Sequence, residues 1–364
     1  MFSFGKFSTR SFDWPLFLTA VLLTVVGILA IYSVDLSRGF GLELVKKQLI
    51  ALSIGVAILF FLSISRYTFF RFSAKWWYFF SLILLVAVLF FGKTIRGTTG
   101  WFDFGWFSFQ PVEFAKVGVI LLLAFIVSRF GRRFEKPVFF LGVCFFVFLI
   151  IGLVMIQPDL GSAILIGILL FGILWLVGTP KIFLAALAIF VCLAGTISWK
   201  YVLQDYQRDR LITFLNPSQD PLGVGYNLNQ SIIALGSGKF LGRGLGFGSQ
   251  SQLRFLPEAQ TDFIFSVIGE ELGWIGVAAI LILYAIIFWR LFLIIRRAND
   301  DFISVAVSGV LILFFSQFFI NLGAASGLLP ITGVTLPFVS YGGSSLIINF
   351  LLIGMVESMV AKKY

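Results

Sequence analysis

The chain has 364 residues, of which 59% are hydrophobic and only 12% charged. Soluble domains carry about 25% charged residues; here the apolar excess lies in many runs of about 20 residues, the length that crosses a bilayer, which leaves no sizeable soluble domain. Histidine is absent, which excludes Ser-His-Asp and Cys-His catalysis and every His-ligated metal site, so any proton transfer falls to Asp, Glu, Lys, Tyr or Cys.

The apolar runs predict spans near residues 15–34, 48–65, 76–92, 112–128, 138–156, 161–178, 182–200, 263–289, 303–322 and 341–360. The expected fold is an all-α polytopic membrane protein of about ten transmembrane helices. It forms a single transmembrane domain over 1–364, with a large loop, 201–262, between helices 7 and 8. The first run follows Lys6 and Arg10, as in a signal peptide. It is too long for such a segment and lacks a small-residue cleavage site, so it reads as a first helix. Cys144 and Cys192 lie in apolar runs, at no metal-ligand or disulfide spacing, and read as small core residues.

Lys and Arg orient the bundle. One set of ends holds Lys6 and Arg10, Arg66 to Lys75, Arg129 to Lys136, Lys181, Arg290 to Arg297, and Lys362 and Lys363. The short loops on the other side hold Arg38, Lys46, Lys47, Lys93 and Arg96. This bias places both termini in the cytoplasm and accounts for the net charge of +10 without nucleic acid. The loops at 93–111, 157–160, 201–262 and 323–340 then face outward. The last is uncharged and rich in Gly, Pro and Ser, so it packs on the bundle or lines a cavity.

Membrane-embedded ionisable groups are functional candidates by default. Glu113 and Lys116 share a helix face at a spacing of three, either as a buried ion pair or as the wall of an outward-open cavity. Asp159 in "QPDLGS" is a helix N-cap or a cavity carboxylate. Glu270 and Glu271 lie inside the eighth span as structural supports. Adjacent residues point about 100° apart, so one is expected to meet a buried Arg or Lys and the other water. Asp262 stands at the membrane edge, after a loop carrying Arg208, Arg210, Lys239, Arg243 and Arg254. It is a helix cap or a carboxylate basic enough for proton abstraction, with loop cations to attract an anionic substrate. "GSGKF" at 236–240 and "GRGLGFG" at 242–248 lack the context of phosphate and dinucleotide loops, and read as flexible loop backbone.

The runs "DYQRDRLITFLNPSQDPLGVGYNLNQS", "GSQSQLRFLPEAQTDFIF", "GEELGW" and "GLLPITGVTLPFVSYGGSS", with "FQPVEFAK" and "QPDLGS", closely resemble the SEDS family of RodA and FtsW proteins. The resemblance covers essentially the whole chain, in order. It implies a ten-helix peptidoglycan glycosyltransferase of the bacterial cytoplasmic membrane that polymerises lipid II. It also implies a class B penicillin-binding protein as transpeptidase partner, with lipid II, the undecaprenyl-pyrophosphate-linked glycan and membrane lipids as ligands. It marks Asp262 as the essential catalytic residue, acting as base or as ligand of a divalent cation (Mg or Mn); no organic cofactor is implied. Trp101, Glu113, Lys116, Asp159, Arg208, Arg210, and Ser340 and Ser344 of "SYGGSS" become candidate substrate-binding positions.

The chain departs from the family pattern at Gly100, where an Arg usually precedes the Trp, and at Val112, where Ser is common. Arg96 is the nearest cation that could replace the Arg. The "SQSQLRFLPE" run resembles the elongation (RodA) branch, while "FLGRGLGFG" and "FIFSVIGEELG" are closer to the division (FtsW) branch; the expectation is RodA-like. A lipid II flippase would use the same amphipathic substrate, and a scaffold would only recruit the transpeptidase. The outward clustering of the unusual residues favours the polymerase over both.

Overall fold

Asp13 starts the first helix, α1 (Trp14–Arg38): its carboxylate accepts from the Leu16 amide, and Pro15 pre-sets the first turn. The computed structural model describes residues 12–39, 41–95, 97–105, 107–131, 136–216 and 223–360. Helices α2 (Glu43–Ser63) and α3 (Tyr67–Phe91) follow, then α4 (Pro111–Phe130), α5 (Pro137–Ile156), α6 (Leu160–Leu176) and α7 (Lys181–Tyr201). Beyond the long loop come α11 (Ile264–Arg297), α12 (Asp301–Ala325) and α13 (Gly343–Val360). Among the described residues nine helices are long and apolar enough to cross a membrane, and α6, at 17 residues, makes the tenth. The protein is an all-α polytopic membrane protein.

The expected spans are all present, but several helices begin or end in polar sequence that hydropathy alone cuts off. Helix α2 starts at Glu43 rather than 48, and α3 at Tyr67 rather than 76. The first turns of α3 are held by Arg71, which pairs with Asp300 at 3.3 Å. Helices α4 and α13 are enclosed on nearly all sides, whereas α7 shows most of its surface to lipid. Small residues set the closest approaches, as membrane helix packing favours. A Cβ at Gly354 of α13 would stand 2.8 Å from the Leu59 backbone of α2, and one at Gly118 of α4 2.5 Å from Ser81 Oγ of α3.

One segment departs from the all-helical expectation. The described residues between 93 and 109 form a three-stranded antiparallel meander, β1 (Lys93–Ile95), β2 (Thr98–Asp103) and β3 (Ser108–Phe109). Gly97 and Gly105 take positive φ at its two turns. Asp103 fastens the sheet, accepting from Lys93 Nζ at 2.7 Å and from the Gly105 amide at 3.0 Å. The strands are too short, and too interrupted by glycine, to give a period-2 signal against the surrounding apolar sequence.

The long loop is folded as well. It holds α8 (Asp205–Leu215), α9 (Val224–Ser237) and the one-turn α10 (Ser249–Gln252). The glycines expected to be flexible are clamped. A Cβ at Gly238 would lie 1.9 Å from the Gly269 carbonyl, and one at Gly242 2.1 Å from that of Glu271. This contact serves a break in α11 at Gly273, whose backbone is non-helical (φ 63°, ψ −159°). The amides of Arg243 and Gly244 donate to the carbonyls of Glu270 and Glu271, and the Trp274 amide donates to Lys239. The loop thus satisfies peptide groups that a broken membrane helix would leave bare.

Candidate active site

The loops converge at one face of the bundle around Asp262. Residues 254–263 form turns leading into α11, and Phe263, not Asp262, occupies the helix cap position. The backbone here is pinned at three successive carbonyls. Gln260 O accepts from the Tyr341 amide (2.8 Å), Thr261 O from Ser340 Oγ (2.7 Å) and Asp262 O from Asn321 Nδ2 (3.1 Å). The 323–340 segment is buried at Leu336, Phe338 and Val339; it packs into the bundle, so the donors are fixed by the core.

Asp262 lines a pocket of about 150 Å³ with Trp101, Gln110, Asp159, Arg210 and residues 330–333. Four residues expected from the sequence therefore meet in one place, contributed by β2, the α5–α6 corner, α8 and the start of α11. Helix α8 is seated by its own side chains: Tyr206 Oη and Gln207 Nε2 donate to the Pro158 carbonyl at 2.9 and 3.0 Å. The Arg210 guanidinium lies over the Tyr206 ring, 5.6 Å from its centroid. Arg208, two residues earlier, is not among the lining residues. It pairs with Asp205 at 3.4 Å and donates to the Lys200 carbonyl. A second pocket of about 250 Å³ shares Trp101 and Ile95 with the first and is bordered by Lys47, Gln260, Thr261 and Tyr341. Trp101 is the wall between them.

The other expected residues hold the walls. Asp159 caps α6, accepting from the Ser162 amide (2.9 Å) and Ser162 Oγ (2.8 Å), so both its carboxylate oxygens are engaged. Ser344 Oγ accepts from the Gln110 amide at 3.1 Å, and Ser340 Oγ also accepts from the Leu336 amide. Glu113 and Lys116 form a buried ion pair at 2.7 Å in α4, outside both pockets. Glu113 lies about 4.5 Å along the axis from Gln110 and Lys116 about 9 Å. Of the two readings of this spacing, the buried ion pair is the one the side chains form, and neither residue lines these two pockets.

Glu270 and Glu271 differ from expectation. Both are fully buried, and both grip α10. Glu270 accepts from the amides of Gln250 (2.9 Å) and Ser251 (3.2 Å), and Glu271 from Ser251 Oγ (3.0 Å) and Ser33 Oγ. Hydroxyls and backbone amides, rather than a cation, are their partners, and Glu271 Oε2 is left without one among the described residues. The angular argument fails because α10 lies across both directions. Arg96 lies outside the described residues.

Gln110 and Asn321 escaped sequence reasoning. Gln110 touches Ser344 through its amide and Asp159 through its side chain (3.4 Å). The available signals were a polar residue immediately before a helix-starting proline, and an amide one turn after Gln317 inside an apolar span.

The model of the family described as cell cycle protein, FtsW/RodA/SpoVE, matches residues 13–364. The chain belongs to the FtsW/RodA/SpoVE (SEDS) family. Relatives of both branches align along nearly all of it. The peptidoglycan glycosyltransferase MrdB of Escherichia coli K12 is 37% identical over 350 residues, 95% of this chain and 93% of the relative. The probable peptidoglycan glycosyltransferase FtsW of Thiomicrospira cyclica is 34% identical over 361 residues, 96% and 92% of the two chains. Among solved structures, a chain from a peptidoglycan synthase complex that coordinates polymerization and crosslinking superposes with TM-score 0.82 at 30% identity, covering 97% of this chain and 98% of that one. RodA of Thermus thermophilus superposes with TM-score 0.72 at 27% identity over the same shares. This SEDS chain thus aligns over most of its length with relatives of both branches and shares its fold with RodA.

Proposed function

We infer that this protein is a peptidoglycan glycosyltransferase that polymerises lipid II at the outer face of the bacterial cytoplasmic membrane. The observation that carries the reading is the convergence of Asp262, Arg210 and Trp101 on one pocket at the loop face. The acceptor 4-hydroxyl oxygen attacks the anomeric carbon of the donor glycan. The bond from that carbon to the pyrophosphate oxygen breaks, undecaprenyl pyrophosphate leaves, and the α-linkage becomes β-1,4. Asp262 takes the hydroxyl proton, a task left to a carboxylate in a chain without histidine. Arg210 offsets the charge that develops on the leaving pyrophosphate. Trp101, between the two pockets, gives a flat face for sugar packing. Both termini lie in the cytoplasm, and the transpeptidase partner is a class B penicillin-binding protein.

Among the described residues no three acidic or thiol side chains cluster, so a protein-built metal cage does not fit. A cation that takes one carboxylate, and its other ligands from pyrophosphate and water, fits Asp262. When bound, Mg or Mn supplies charge neutralisation at the leaving group. The test is Asp262→Asn, which keeps size and removes basicity. Purified with its partner, whose transpeptidase site is blocked, the variant is expected to lose polymerisation by at least about 100-fold. Near-normal glycan synthesis would refute the assignment.

A further inference from the structure

At the face away from the candidate active site, α3, α4 and α5 diverge around a groove of about 670 Å³, within the range of about 300–1,000 Å³ usual for ligand clefts. Its walls are apolar, from Phe79, Val138, Val143 and Phe146. Its floor is the buried Tyr78, whose hydroxyl is spent on the Phe146 carbonyl at 2.8 Å. Gly142 lines it, and a Cβ there would meet nothing within 4 Å. The groove also carries Lys75, Arg129 and Lys136. Lys75 Nζ and the Arg129 guanidinium sit over the same Phe125 ring, 5.3 and 5.8 Å from its centroid. Like charges are thus gathered on one ring, and among the described residues no carboxylate pairs with any of the three cations.

An apolar slot open to lipid, with cations near the end of α4 and the start of α5 that pair with no described carboxylate, is complementary to one kind of membrane component. Basic pockets between transmembrane helices on the positively charged side of a membrane recognise anionic lipid head groups. We propose that this groove is a binding site for an anionic diacyl phospholipid of the leaflet opposite the candidate active site. The phosphate sits among Lys75, Arg129 and Lys136, and an acyl chain runs along Phe79, Gly142 and Phe146. Hydrocarbon fills the hollow that Gly142 leaves, and the head group relieves the repulsion between the cations. The site is independent of the polymerase chemistry.

The test uses the full-length protein, delipidated in detergent, with dioleoyl phosphatidylglycerol or dioleoyl phosphatidylcholine added and retained lipids counted by native mass spectrometry. The wild type is expected to retain the anionic lipid in preference, by about fivefold per engaged cation. Lys75→Ala with Arg129→Ala keeps Lys136 and should cut the preference about 25-fold. Gly142→Leu keeps the cations, enters open space and should lower retention of both lipids. Melting temperatures report whether each variant folds, and the glycine variant tests the groove should the double variant fail to. Equal retention of the two lipids by the wild type would overturn the proposal. So would an unchanged preference in the double variant, a polyprenyl phosphate that outcompetes phosphatidylglycerol, or a polypeptide that crosslinks to this face.

Discussion

The buried side-chain amide of Asn321, near the loop-face end of α12, donates to the Asp262 carbonyl at 3.1 Å and to the Val334 carbonyl at 2.9 Å. One side chain thereby ties the proposed base to the segment that forms the opposite wall of its pocket. Asn321→Leu removes both bonds and strands two carbonyls, at a cost of about 1–3 kcal/mol. Asn321 touches no substrate in this scheme, so turnover should fall about 10-fold or more while the lipid II concentration for half-maximal rate changes little. Steady-state polymerisation by the Asn321→Leu protein checks this; a pure loss of apparent affinity would argue against a positioning role.

The Glu113–Lys116 pair behaves as a unit. Breaking a buried pair from one side leaves an uncompensated charge and costs about 3–5 kcal/mol, whereas replacing both partners by apolar residues is often neutral. Lys116→Met and Glu113→Leu alone should each lower the thermal midpoint sharply, and the double substitution should restore most of it. Thermal unfolding of the four proteins in one detergent completes the cycle. Additive losses would mean that each side chain has a separate partner.

Glu270 holds α10 by two backbone amides and Ser249 Oγ. Glu270→Ala leaves those amides bare and should cost at least about 2 kcal/mol, while Glu270→Gln keeps one acceptor and should lose less. Hydrogen exchange over 248–253 should rise first in both variants, with the alanine variant more exposed.

Lys93, by its hydrogen bond, and then the Gly105 amide hold the Asp103 carboxyl below its ordinary pKa. A depressed acid contributes stability that is present above the unfolded value, about 3.9, and is lost as pH falls through the lower folded value. Protection of the 93–109 meander should therefore be flat at neutral pH and fall only below about pH 4. Asp103→Asn should remove that step. Exchange protection measured across pH 2.5–7, corrected for intrinsic rates, reads it directly.

The membrane spans were legible because each is a long apolar run whose length the bilayer dictates. Asp262, Asp159, Trp101 and Arg210 were legible through their motifs, and the structure gathers them. What could not be read was which surface each carboxylate meets. Glu270 and Glu271 point in different directions along α11, yet one short helix crosses both, and that contact comes from a segment about 20 residues away in the chain. The Glu113–Lys116 spacing fitted an ion pair and a cavity wall equally, since a spacing of three fixes a shared helix face but not what faces it. Gln110 and Asn321 matter through carbonyls and hydroxyls from distant segments, and single polar residues among apolar neighbours give no periodic signal.

The break at Gly273 divides α11 into two mechanical parts. The 239–252 loop bridges the joint: the amides of Arg243 and Gly244 donate to the Glu270 and Glu271 carbonyls on the side of Asp262, and the amides of Trp274 and Ile275 donate to Lys239 and Phe240 on the other, beyond which the helix runs on to Arg297 at the opposite face. A continuous rod would carry every tilt of its membrane arm to the proposed base. With the joint at residue 273, the direction of the outer cap is set by the peptide groups of the loop rather than by continuation of the rod.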